Sequence, residues 1–267
     1  MKRIWIKNGR VIDGTNTPAH TADVIVEGDR IVSVGEPGSP SDTVIDAAGK
    51  VVCPGFVDIH RHCDAKFLQD SDFGKVMLAQ GITTTVVGNC GMSLTPSPKD
   101  PAEMYDFMEA VLGSGCEKLG LHDYKDYVAA LQSRPLPVNA ASMVGTGSVK
   151  ITVKGFADTP YTAEELKKAA SLIEDALNAG AVGVSCGIMY LPECYSTTNE
   201  FAEILKPLGK AGRVLTAHIR GEGDSLVSSV KEIIEIGKKA GCPVEISHFK
   251  CCGMENWRKG IHEAIAL

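Results

Sequence analysis

The chain has 267 residues, 44% of them apolar, and a formal net charge of -6. That length suits one large domain, or a domain with a small appendage, and the apolar share is enough for a sizeable core, which excludes a disordered chain. No basic block stands out and no apolar run reaches bilayer length, so neither a nucleic-acid partner nor a membrane is expected. The start, Met1 to Arg10, lacks the apolar stretch and cleavage site of a signal peptide. Nine cysteines follow no paired pattern, and several sit inside apolar runs (Cys53, Cys186), which reads as reduced buried thiols in a cytoplasmic protein.

Residues 1–50 read as a β subdomain. Ile4 to Ile6, Val11-Ile12, Val24 to Val26, Ile31 to Val34 and Val44-Ile45 are short apolar pieces. Asn8-Gly9, Asp13-Gly14, Glu27-Gly28-Asp29 and Pro37-Gly38 separate them with turn chemistry, predicting a small antiparallel sheet of hairpins. From residue 51 to 267 the texture alternates. Strand-like runs lie at Val51–Ile59, Thr83–Val87, Val138–Val144, Ala181–Ile188, Val214–His218 and Val244–His248. Ala163–Ala179 and Ser225–Ala240 between them carry a helical period, with Thr162 placed to cap the first and Gly180 and Gly241 to end them.

Alternating buried strands and helices predict an α/β fold with a parallel sheet. No Gly-x-Gly-x-x-Gly turn follows a strand, and polar metal-type residues recur at strand carboxyl ends, which favours a (β/α)₈ barrel over a doubly wound sheet. Only six strands are found, residues 91–137 form a long insertion, and the chain stops within the helical pattern Ile261 to Leu267. A full eightfold unit takes about 250 residues, so the barrel is expected to be cut short after six βα units. An open barrel predicts exposed edges and self-association.

His60-Arg61-His62 closes the first of these strands. Side chains at i and i+2 share a face, so two imidazoles leave the strand end together. Cys90 follows the second strand, His218 ends the fifth and His248 the sixth. Imidazole and thiolate groups converging at one end of a barrel suit a zinc site. Asp58 reads as support for His60, and a loop contact from Asp64 near the second metal position is not favoured. Arg220 and Glu222, after His218, read either as groups that orient loops or substrate or, at least equally well, as a surface pair. His20, His122 and His262 are expected at the surface.

Pro54 to His62, preceded by Asn8-Gly9-Arg10-Val11-Ile12-Asp13-Gly14, resembles the metal-dependent amidohydrolase superfamily. Gly81 to Gly91, with its Gly88-Asn89-Cys90-Gly91, together with Ala217-His218-Ile219-Arg220 and Ile246 to Cys251, resembles the N-acyl-D-amino-acid deacylases (D-aminoacylases) over essentially the whole chain. The resemblance implies a β-sandwich for the N-terminal piece and a cysteine, rather than a carboxylated lysine, as metal bridge. It implies that Cys90, His218 and His248 form a tight zinc site and that His60 and His62 form a second, weaker one sharing Cys90. Tyr190 and Lys250 would bind the substrate, a small N-acyl-D-amino acid, whose amide a zinc-activated water would hydrolyse. The resemblance places the general-base aspartate and a substrate-binding arginine outside this chain. Two other readings stay open: an inactive or trans-complemented metal-binding fragment, and an amidohydrolase acting on a cyclic amide.

Overall fold

The computed structural model describes residues 3–40 and 42–267, which divide into two compact units, Met1–Phe56 and Val57–Leu267. The first is a five-stranded sheet of β1 (Arg3–Val11), β2 (His20–Glu27), β3 (Arg30–Val34), β4 (Thr43–Asp46) and β5 (Val51–Val52). The order is β3-β2-β1-β4, with β5 also on β1. The sheet is mixed, which corrects the expectation of hairpins throughout. Strand β2 pairs antiparallel with β1 and β3, whereas β4 and β5 run parallel to β1. Asn8-Gly9 is not a turn either. Strand β1 runs through it with a shift of register, Asn8 taking a left-handed φ of 62°. Asn is one of the few non-glycine residues that visit this region, and here its side chain is tied across the sheet to Asp46 Oδ1 at 3.1 Å.

The second unit alternates strand and helix. Its strands are β6 (Phe56–Asp58), β7 (Ile82–Val87), β8 (Asn139–Ser142), β9 (Val144–Gly145), β10 (Gly183–Gly187), β11 (Val214–His218) and β12 (Val244–Ile246). They form one three-stranded sheet, β6-β7-β8, and one four-stranded sheet, β12-β11-β10-β9. Only Met143 separates β8 from β9, and its N–H donates to Val87 O at 3.0 Å while Val182 N–H donates to Ser142 O at 2.9 Å. The two sheets therefore follow one another as a six-strand series, parallel wherever register is defined. All six strand-like runs appear, but Val51–Ile59 is not a single buried strand. Pro54-Gly55 breaks it, β5 joins the first unit, and Phe56, Val57 and Ile59 are 60%, 58% and 58% exposed because β6 is an edge strand. Cys53 is exposed as well, against expectation.

The helices form as their sequences dictate. In Ala163–Asn178, Thr162 Oγ1 accepts from Glu165 N–H at 3.2 Å and Glu165 Oε2 accepts from Thr162 N–H at 2.7 Å, a reciprocal cap. Helix Leu226–Ala240 ends on Gly241 with φ 75°. It buries Leu226, Val230, Ile233 and Ile236 in the core shared with Val184, Leu215 and Ala217 of the sheet, each side chain contributing about 1.5–3 kcal/mol. A second core, built on Phe67, Met77, Val87, Met104, Met108 and Tyr127, packs the 91–137 insertion against β7. Between them these two cores fix the carboxyl ends of β7, β10 and β11. Among the described residues no helix is long and apolar enough to cross a membrane.

Candidate metal centre

Strand β6 stops at Asp58, and the chain leaves it as irregular backbone through residues 59–63. Asp58 shapes that exit. Its Oδ1 accepts from His60 N–H at 3.2 Å and its Oδ2 from Arg61 Nε at 2.6 Å. Arg61 N–H in turn donates to Val86 O at 3.1 Å. The rings of His60 and His62 meet edge to face with centroids 5.3 Å apart.

Strand β7 delivers Gly88-Asn89-Cys90-Gly91. Asn89 Nδ2 donates to Arg61 O (3.3 Å) and Val86 O (3.0 Å), tying this turn to the histidine pair. Ser185 on β10 bridges the turn: its hydroxyl donates to Gly88 O at 2.5 Å and accepts from Gly91 N–H at 3.0 Å. Thus held, Cys90 sits at φ 55°, a left-handed backbone that a non-glycine residue takes only under constraint. Gly187 is required beside it, since a Cβ there would lie 2.1 Å from Cys90 O. His248, after β12, is likewise left-handed, with φ 41°.

The side chains meet in one place. Cys90 Sγ lies 3.4 Å from His60 Nε2 and 3.6 Å from His248 Nε2. The His248 ring is 5.0 Å from that of His60 and 4.5 Å from that of His218. Donor atoms within 4.8 Å of one another form two triads, His60–Cys90–His248 and His218–Glu222–His248. Tyr190 packs on His218, its Oη 3.1 Å from Nδ1. His62 stands beside His60 but belongs to neither triad.

Burial sets the protonation states. His218, 6% exposed, is pushed down to about 4, chiefly by burial, with Glu222 opposing and His248 assisting. His62 is pushed down to about 4 by burial and then by the neighbouring imidazoles, and His60 is lowered for the same first reason. At neutral pH these rings are therefore uncharged, the form that ligates. Burial, followed by the Glu193 and Glu222 carboxylates, raises Cys90 to about 12. A cation is what would reverse that, because a coordinating thiol loses its proton outright. Tyr190 is raised to about 12 by burial and remains a neutral donor. His218 Nε2 and His62 Nδ1 are buried with no hydrogen-bond partner. Buried orphan nitrogens beside a thiol are a poor design for a dry core and a good one for a metal, and the nitrogen–sulfur donor set fits zinc.

Other site residues fall differently from expectation. Arg220 and Glu222 are not a pair. Arg220 forms a two-point contact with Glu232 (2.8 and 2.9 Å) and donates to Cys194 O and Ser196 O. Glu222 turns inward, 8% exposed, and accepts from Lys250 Nζ at 2.6 Å. Its place four residues after His218 was the available signal, obscured because the intervening residues form a loop. Asp64 lies wholly buried in the turn after His62, and burial pushes it up to about 7. Glu193 gave no sequence signal. It lies buried against Gly91, accepts from Thr146 Oγ1 and from Gly187 N–H (3.0 Å), and is also raised to about 7 by burial.

The amidohydrolase family profile matches residues 43–256. A D-aminoacylase of Alcaligenes xylosoxydans xylosoxydans is 37% identical over 256 residues, covering 95% of this chain and 52% of that protein. The zinc- and phosphonate-bound N-acyl-D-glutamate deacylase of Bordetella bronchiseptica superposes with a TM-score of 0.91 at 35% identity, over 98% of this chain and 54% of that one. A D-aminoacylase structure described for its binuclear metal centre, one metal activating and the second attenuating, superposes with a TM-score of 0.86 at 37% identity, over 98% of this chain and 56% of that one. The chain spans about half the length of the curated relatives it matches. With its profile match and its relatives, this chain belongs to the amidohydrolase family, in the D-aminoacylase branch.

Proposed function

We propose that the chain carries the zinc centre of an N-acyl-D-amino-acid deacylase. The convergence of Cys90, His60, His218 and His248 carries this reading. Cys90, His218 and His248 are assigned the tight site, and His60 and His62 a weaker one that shares the thiolate. A bound zinc supplies Lewis-acid activation of water and of the scissile carbonyl. The chain's own groups do the rest of what can be assigned here. His218 presents a neutral nitrogen, and His248 turns its Nε2 toward Cys90 Sγ. Tyr190 keeps its phenolic proton and is placed beside His218, where it would donate to an oxyanion as charge develops. Lys250 brings an ammonium beside His248, where it would anchor the carboxylate of a small N-acyl amino acid. No residue of this centre is assigned the proton relay to the leaving amine. Glu222, the nearby carboxylate, already holds Lys250.

The strand order supports six consecutive units of the (β/α)₈ kind. The apolar residues exposed on the N-terminal sheet (Ile31, Val32, Val34, Val44 and Ile45) suit one half of a β-sandwich. The exposed apolar edge at β6 supports self-association. Metal analysis together with equilibrium dialysis of N-acetyl-D-methionine tests the functional reading. The expected result is stoichiometric zinc and tighter binding of the D than of the L enantiomer. A chain that takes up no zinc, or that favours the L enantiomer, overturns it.

A further inference from the structure

Glu222 is a buried carboxylate with an unusual number of calls on one oxygen. Its Oε1 lies 2.6 Å from Lys250 Nζ, 3.1 Å from His248 Nδ1 and 3.7 Å from His218 Nε2. Its backbone carbonyl accepts from Cys252 N–H at 2.6 Å, so the loop that carries His248 and Lys250 is also tied to Glu222 through the main chain. Among the described residues Lys250 is the lysine paired with it. A buried anion persists only where donors surround it, and here the donors are residues already assigned to the centre.

We propose that Glu222 is the positioning residue of this centre, holding His248 by its Nδ1 edge so that Nε2 faces Cys90, and holding Lys250 beside it. The proposal rests on the zinc reading above. The two nitrogens of His248 point opposite ways: Nδ1 toward Glu222, and Nε2 toward Cys90 Sγ, 3.6 Å away. A carboxylate at Nδ1 selects the tautomer protonated there, which leaves the Nε2 lone pair for a cation. Without it, His248 Nδ1 loses the carboxylate acceptor that fixes its tautomer. The same oxygen sets Lys250. An ammonium carries three N–H donors; one goes to Glu222 and a second reaches His248 O at 3.5 Å, which leaves a third for an incoming anion. Lys250 Nζ also lies 3.2 Å from His248 Nδ1, as follows when two donors share one acceptor. Glu222 touches neither substrate nor reacting atoms in this role; it acts through His248 and Lys250.

The test uses the whole chain with zinc alone, its affinity measured by chelator competition, and with cobalt(II) as a spectroscopic substitute. Variants are Glu222→Gln, Glu222→Ala, His248→Ala and Cys90→Ala, each checked by far-ultraviolet circular dichroism. Removing a carboxylate behind a ligating histidine is expected to weaken zinc binding about 10- to 100-fold in E222A. E222Q keeps an acceptor for Nδ1–H and is expected to recover part of that loss. Its cobalt spectrum should keep the thiolate charge-transfer band while the ligand-field bands shift, a change that a merely structural residue would not produce. Wild-type affinity and an unshifted spectrum in E222Q, with wild-type affinity in any folded E222A, overturn the proposal while leaving the zinc centre intact. Zinc absent from the wild type, or unaffected by C90A and H248A, instead removes the zinc reading, and this proposal falls with it.

Discussion

The two halves of the candidate centre are built to different standards. Cys90, His218 and Tyr190 sit at the ends of β7 and β11 and just after β10, over two packed cores, and the Cys90 turn is clamped by Ser185 at Gly88 O and Gly91 N–H, by Asn89 to the neighbouring chain, and by close packing on Gly187. His60 and His62 hang from β6, an edge strand with exposed apolar side chains, steadied mainly by Asp58 and Asn89. The first half is held before any ligand arrives; the second is held by a few polar contacts. A site that prepays its ordering binds tightly, and one that must order on binding pays then. The difference predicts one tight and one weak metal position within a single cluster.

The largest test of that contrast is the pair Cys90→Ala and His62→Ala. C90A is expected to weaken zinc more than about 100-fold, beyond the loss of a supporting partner, and H62A less than about 10-fold. Equal losses by chelator competition would erase the distinction between the halves.

A pH effect comes next, and it isolates the tight half. Glu193 lies beneath the Cys90 turn and is raised from an ordinary 4.5 to about 7 by burial. The folded chain keeps that proton up to about pH 7, whereas the unfolded chain releases it above its ordinary value. The resulting stability is full below pH 4.5 and is lost as pH rises to 7. Glu193→Gln removes this dependence. The stability difference between E193Q and the wild type should therefore move in favour of the variant from pH 4.5 to 7.5, by an amount on the order of 2–3 kcal/mol. A pH-independent difference in thermal unfolding would contradict the buried-acid account. His62 and His218 act in the opposite sense. Lowered from 6.5 to about 4, they withdraw stability as pH falls through that window, so the metal-free wild type should show a shallow profile there.

Smaller effects follow. Gly187→Ala would place a Cβ 2.1 Å from Cys90 O and 2.7 Å from Tyr190 Cδ2. Overpacking of this kind costs about 1–3 kcal/mol, and G187A should show both a lowered melting temperature and weaker zinc binding. A stable G187A with intact zinc affinity would mean that the Cys90 turn is not the rigid part. Asp58→Asn breaks a partly exposed ion pair with Arg61 at the edge and is expected to change stability by less than about 1 kcal/mol, read by denaturant unfolding. A larger loss would show that the edge is better built than its exposure implies.

Much of this was legible in the residues themselves. Strands β10 and β11 lie in largely apolar, buried runs, and the helices at 163–178 and 226–240 carry a helical period between capping residues, so pattern and structure agree. Cys90, His218 and His248 were readable because a polar metal-type residue at the end of a buried strand has few other reasons to be there. What failed was whatever depends on a partner strand. Asn8-Gly9 has turn chemistry, yet a bulge satisfies it equally well when β4 and β5 lie alongside. Val51–Ile59 reads as one run because composition says nothing about which sheet each half will join. Glu222 stood out beside His218 yet read equally well as a surface residue, and Glu193 gave no signal, because a carboxylate in a loop reads as solvated; only the fold reveals Lys250, His248 and Thr146 converging on them.

The central claim is a sulfur-bridged nitrogen cluster, and zinc K-edge X-ray absorption on the loaded chain tests it most directly. The account predicts a first shell containing sulfur at about 2.3 Å and imidazole nitrogen at about 2.0 Å, with the sulfur contribution lost in Cys90→Ser. A shell of nitrogen and oxygen alone in the wild type, unchanged in C90S, would contradict it.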